Sequence, residues 1–280
     1  MLQQLPCLTA FLCLITSAFA LPTVEYRQQK DGRFIFHPMK ASAAGPCDLV
    51  EGPDGALWGQ DILVNYIFRI DPSTGKLEEY PIPFTTPISN HTIPGLNNKL
   101  VQNRTALSCA IRKGEDGQVC FANGLGNQLG RIDPHTKKIQ IFQPPGTPAG
   151  NLLNFNDLYS AKAGIYLTQT TGNVFNFFCF ATERFTTYNV ATPLAVPLGL
   201  LVPSDEKVYI AELVGNKILV FDPKTKAIDE YPLPQPAQFP AVVRAERFGA
   251  FSSINNLRVA STHIHIHSRL AHLGLKNLFW

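Results

Sequence analysis

From about residue 45 onward, apolar and polar residues alternate in short runs, each bounded by glycine, proline, asparagine or aspartate. A period of two marks strands with one buried face, and no helical period interrupts it. The first such stretch predicts strands over residues 48–51, 56–60, 66–70 and 76–82. Turns fall at Gly52-Pro53-Asp54-Gly55, at Asn65 and at Asp71-Pro72-Ser73-Thr74-Gly75. The turn residues suit their places: glycine and asparagine tolerate positive φ, and proline presets φ.

This stretch recurs. Asn65, Asn127, Asn173 and Asn216 each stand six residues before Asp71, Asp133, Cys179 and Asp222. Each also stands seven residues after Trp58, Cys120, Tyr166 and Tyr209. The apolar residues two positions past each Asn (Ile67, Leu129, Phe175 and Ile218) read as core. The copies lie 62, 46 and 43 residues apart. A period in the forties with β-type signals alone reads as one four-stranded propeller blade per copy. The expected fold class is all-β, a β-propeller with about four and a half of six to seven blades. A fifth copy begins at Phe239-Pro240-Ala241-Val242-Val243, and nothing after Phe248 matches the other copies. The tail reads as a mis-spliced or frame-shifted segment, the alternative being an extension that caps the open edge. It is not expected to form a regular blade. The domain reading is therefore 1–20 leader, 21–44 N-terminal segment, 45–248 propeller repeats and 249–280 aberrant or unstructured tail.

The leader sets the compartment. Residues 1–20 carry no charge, have an apolar centre over residues 11–15 and end in Ala18-Phe19-Ala20, the layout of a secretory signal peptide. The alternative, a membrane anchor, needs a longer apolar run. Cleavage would give a mature chain starting at Leu21, secreted and extracellular. Asn90 and Asn103 open Asn-x-Thr acceptors for N-glycosylation, in or at the edge of a loop that lengthens the first repeat. Four cysteines lie past the leader: Cys47, Cys109, Cys120 and Cys179. Disulfides are expected in that compartment. Cys109 and Cys120 flank a turn between antiparallel strands, and their bridging is the expected pairing.

Charged residues make up 16% of the 280 residues, with a net charge of +3 and no basic run. No nucleic-acid partner is expected. His263, His265 and His267 alternate; on a strand they would share one face, with the outer two about 13 Å apart. That is too far for three to hold one metal, and no metal site is expected there.

The series GPCDLVEGPDGALW, Asn turn and RIDPSTGKLEEYPIP resembles the streptogramin B lyase (virginiamycin B lyase) family over roughly residues 45–243. The resemblance implies a seven-bladed propeller that opens a cyclic depsipeptide by elimination. It also implies Mg²⁺ as cofactor, a histidine base, and a glutamate with a second histidine nearby. Such chemistry needs a base for a weakly acidic proton and a charge to steady the enolate. The base follows a proline at the start of a blade, and here those positions hold Cys47, Cys109, Phe155, Leu198 and Ala241. The glutamate position holds Asp61, Asn123, Gln169 and Glu212, and the second histidine position Leu63, Leu125, Thr171 and Val214. Only Glu212 is left as a catalytic candidate, and the residues themselves support no cofactor. The expected function is a secreted, lyase-like propeller without the lyase site. It would be a monomer that binds a small molecule or extracellular ligand at one face, with no membrane partner. The alternative is an active carbon–oxygen lyase acting on cyclic depsipeptides or related esters.

Overall fold

A computed structural model describes residues 37–41, 44–83, 109–124, 126–145, 157–245 and the backbone of 251–255. The expected leader, both sequons, Phe155, Leu125 and the His263–His267 run lie outside the described residues. From Met39 on, the chain forms one unit.

The repeat folds as sheets. Blade one is β1 (Pro46–Glu51), β2 (Leu57–Asp61), β3 (Tyr66–Ile70) and β4 (Leu77–Pro81). Blade two is β5 (Ile111–Lys113), β6 (Val119–Asn123), β7 (Gln128–Ile132) and β8 (Ile139–Phe142). Blade three is β9 (Leu158–Ala161), β10 (Gly164–Gln169), β11 (Val174–Cys179) and β12 (Arg184–Asn189). Blade four is β13 (Pro197–Leu201), β14 (Val208–Glu212), β15 (Lys217–Phe221) and β16 (Ile228–Pro232). Each is a four-stranded sheet in sequence order, and every neighbouring pair is antiparallel. No helix occurs among the described residues.

A fifth sheet has two strands, β17 (Pro240–Ala245) and β18 (Phe251–Asn255). No regular blade is expected of the tail; within it residues 251–255 pair with β17 along its length. The bulge between Pro240 and Val242 repeats those between Cys47 and Leu49 and between Pro197 and Leu200. Among the described residues no strand joins this fifth sheet back to blade one.

The core lies between blades. Trp58 and Ile67 of blade one pack with Ile111, Val119, Phe121 and Ile132 of blade two. Cys120 and Leu129 meet Leu158, Ile165 and Phe178 of blade three. Tyr166 and Phe175 meet Leu200, Ile210 and Phe221 of blade four. Tyr209, Ile218 and Val220 meet Val243 of β17. Blades two, three and four each pack on a neighbour at both faces, which is why their central strands read as near-continuous apolar runs.

Two repeated polar residues set the turns. Asp71, Asp133 and Asp222 each accept two backbone N–H groups from the residues two and three positions on. Those bonds lower the Asp133 and Asp222 carboxyl pKa values, and at Asp71 the Ser73 hydroxyl does so first, with the two N–H groups adding to it. Asn127, Asn173 and Asn216 take positive φ (50°, 54° and 53°), as expected of turn asparagines. Their side chains do a second task that the repeat did not reveal. Asn173 accepts from Ala195 N (2.8 Å) and donates to Thr192 O (3.0 Å). Asn216 accepts from Gln238 N and donates to Gln235 O, both at 2.8 Å. These two asparagines therefore clasp the segment leading into the next sheet.

Candidate functional site

The inner strands all begin on one face, where the second strand ends and the third begins. Pro46 lies opposite Asp61 and Asp61 opposite Tyr66; Pro197 lies opposite Glu212 and Glu212 opposite Lys217. Antiparallel pairing thus gathers at one face the described positions that the resemblance assigned to chemistry.

The base positions carry no base. Cys47 and Cys109 are joined in a disulfide that closes a separation of 62 residues, with Cα atoms 5.3 Å apart. This corrects the expected Cys109–Cys120 bridge. The hairpin register places Arg112, not Cys109, opposite Cys120, leaving the two cysteines three residues out of step. Cys120 is free and fully buried in the core between blades two and three, where burial pushes its thiol pKa far up. Cys179 is also free. The sequence did hold a signal for the true pair: 62 residues is the first repeat interval, so Cys47 and Cys109 occupy equivalent places at the starts of blades one and two. Leu198 and Ala241, the next such residues, are buried.

Beside the disulfide an ionic chain runs across the inner strands. Arg112 pairs with Asp48 of blade one and, at 3.1 Å, with Asp157 of blade three. Asp157 in turn accepts Leu200 N of blade four at 3.1 Å. Burial opposes the Arg112 charge, and the two aspartates outweigh it, so its pKa is raised. Four blades are tied together in this way, and the arginine is spent on structure.

The four residues at the glutamate position (Asp61, Asn123, Gln169 and Glu212) are all fully buried. The two amides are bonded. Gln169 donates to Asn127 Oδ1 of blade two at 2.7 Å and accepts from Asn176 at 2.5 Å. Asn123 donates to Gln128 at 3.2 Å and accepts from Gly126 N. Neither acid makes a hydrogen bond of ordinary geometry on either oxygen, although Glu230 and the Thr192 hydroxyl lie close enough to Glu212 to act on its charge. Burial first, then the charge of Glu79, raises the Asp61 pKa to about 7. Burial first, then the charge of Glu230, raises the Glu212 pKa to about 7 against the pull of Lys217. Sequence reasoning placed Asp61 and Glu212 at equivalent positions and kept only Glu212 as a candidate; that both are buried acids came from the fold. At the second histidine position Val214 is exposed, and so is the nearby Leu194, which makes this rim apolar.

The resemblance implies Mg²⁺, and the residues do not fit it. Among the described residues no three His, Cys, Asp or Glu side chains gather where they could hold a metal ion. The acid beside Glu212 is Glu230, and its carboxylate already binds the Lys217 ammonium at 2.7 Å and Thr192 Oγ1 at 2.5 Å. A fixed cation and a hydroxyl thus hold the oxygens that Mg²⁺ would need.

A set of four-stranded antiparallel sheets, packed face to face in sequence order, defines this molecule as a β-propeller of streptogramin B lyase-like fold. Virginiamycin B lyase from Staphylococcus aureus superposes with a TM-score of 0.64 at 21% identity, over 78% of this chain and 66% of its own. A streptogramin B lyase structure gives 0.63 at 19%, over 78% of this chain and 64% of its own. The chain thus spans just under two thirds of the length of these two relatives. The extracellular domain of a one-component system from B. thetaiotaomicron gives 0.56 at 12%, over 79% of this chain and 30% of its own. No family model and no curated protein sequence matches the chain.

Proposed function

We propose that this protein is a secreted propeller that binds a small molecule or extracellular ligand through the face where its inner strands begin, without streptogramin elimination. The observation that carries the reading is the fate of the base positions. Two are locked as the Cys47–Cys109 disulfide, and Leu198 and Ala241 are buried apolar side chains. Removing a proton next to a carbonyl needs a group that reaches the substrate with a pKa near the working pH. Glu212 has the pKa but no exposed surface. The disulfide also supports the secreted assignment, because such bonds persist in oxidising compartments.

The test is incubation of the purified protein with a cyclic depsipeptide streptogramin and Mg²⁺, with mass spectrometry of the products. The expected result is recovery of the intact ring. Metal-dependent formation of the linear elimination product, lost in Glu212→Gln, would establish the lyase reading instead.

A further inference from the structure

In blades one and four the second strand ends in an acid, and the middle of the fourth strand carries another: Asp61 with Glu79, and Glu212 with Glu230. The same positions hold Asn123 with Ile141 in blade two and Gln169 with Thr187 in blade three. Register confirms the equivalence. Glu79, Ile141, Thr187 and Glu230 lie opposite Phe68, Gly130, Asn176 and Leu219. Two blades therefore carry an ionisable pair, and two carry a neutral version of it.

The members of each acidic pair differ. The inner acid is fully buried, and neither of its oxygens makes a hydrogen bond of ordinary geometry. The outer acid holds the segment that leads into its blade's inner strand. Glu79 accepts Lys40 N at 3.0 Å and pairs with Lys40 Nζ at 3.5 Å. Glu230 accepts Thr192 N at 2.9 Å, Thr192 Oγ1 at 2.5 Å and Lys217 Nζ at 2.7 Å. The groups facing Glu212 are Lys217 from β15, Glu230 from β16 and the Thr192 hydroxyl from the lead-in segment. Asp61 faces Glu79 from β4, with Tyr66 opposite it on β3, Pro46 opposite it on β1, and Lys40 acting through Glu79.

We propose that the Asp61–Glu79 and Glu212–Glu230 pairs are proton-dependent latches that hold the lead-in segments of blades one and four to the propeller face. While the inner acid keeps its proton, the outer carboxylate is free to bind the backbone N–H and the lysine. Once that proton is lost, two negative charges share a buried site, and a buried carboxylate short of well-placed donors draws in water. The lead-in segment is held by the outer acid, so it lifts as that carboxylate is pushed from its partners. The inner pKa values near 7 place this change close to neutrality. The latch shapes the face assigned above to ligand binding, and its test reads the latch and not the ligand.

The experiment is amide hydrogen exchange of the full chain at pH 6 and pH 8, corrected for intrinsic rates. Protection of the Thr192 amide is expected to fall about tenfold across that range, one decade for one pH unit past the pKa. Glu212→Gln installs the residue that blade three uses at this position and should abolish the fall at Thr192. Asp61→Asn installs the residue of blade two and should abolish it at Lys40 alone. A Thr192 amide equally protected at both values, or one that keeps its pH dependence in Glu212→Gln, would overturn the proposal. Should a variant not fold, the infrared carbonyl band of a protonated acid decides in the wild type. It must be present at pH 6 and lost at pH 8, and its absence at pH 6 overturns the latch.

Discussion

Two carboxyl groups dominate the chemistry of single residues here. Asp61 and Glu212 have folded pKa values near 7, above those of the unfolded chain. A raised acid holds its proton in the folded state after the unfolded state has released it. Its contribution is therefore complete below the ordinary carboxylate pKa and is lost as pH rises through about 7. Each group is worth on the order of 2 kcal/mol by this linkage. Thermal unfolding should accordingly occur at a lower temperature at pH 8 than at pH 5.5, and calorimetry should show the gap shrinking in Glu212→Gln. Gly215 belongs to the same site. A Cβ there would run into Glu212 Oε2 and press on the Ala195 methyl. Gly215→Ala is expected to cost about 1–3 kcal/mol by overpacking, read as a fall in the denaturant midpoint. The pattern of residues singled out Glu212; its burial and its pairing with Glu230 came only from the fold.

Strands and turns were the most legible level. The expected strand at residues 66–70 matches β3, and those at 56–60 and 76–82 match β2 and β4 within a residue at most ends. Alternation and turn residues are local properties, and local geometry satisfies them without reference to the rest of the chain. Pairing across elements was less legible. The Cys109–Cys120 expectation used a correct hairpin with the wrong register, and a shift of three residues moves a side chain about 10 Å along a strand. Peptide mapping without reductant should recover Cys47 linked to Cys109. Cys179 should be alkylated in the native protein and Cys120 only after unfolding. By the chain-entropy argument, closing a 62-residue loop stabilises the fold by about 4 kcal/mol. Reduction should lower the unfolding free energy by a comparable amount, and recovery of a Cys109–Cys120 peptide would contradict this.

At the scale of the molecule, each sheet depends on its neighbours. The four cores lie between consecutive sheets, so stability is shared locally along the array, as in other repeat proteins. Val243 of β17 completes the core of blade four. Val243→Asp would bury a charge there, and a loss of about 2–4 kcal/mol is expected. Limited proteolysis should then begin within residues 236–255 while peptides of blades one to three stay protected; uniform cleavage along the chain would refute a nearest-neighbour molecule. The sequence by itself determined the blade. Its period, its turns and the alternation that makes two-faced strands are all encoded within about forty consecutive residues. The tertiary structure decided what adjacent blades do to each other: the Cys47–Cys109 bond, the Asp48–Arg112–Asp157 chain and the Asn173 and Asn216 clasps on the lead-ins that follow them. It also recruited residues 251–255 to a sheet whose pattern they lack, because the exposed edge of β17 offers backbone hydrogen bonds to any extended segment. Contacts between residues far apart in sequence depend on how sheets stack, and that stacking leaves its mark on the chain only as positions repeated at the blade interval.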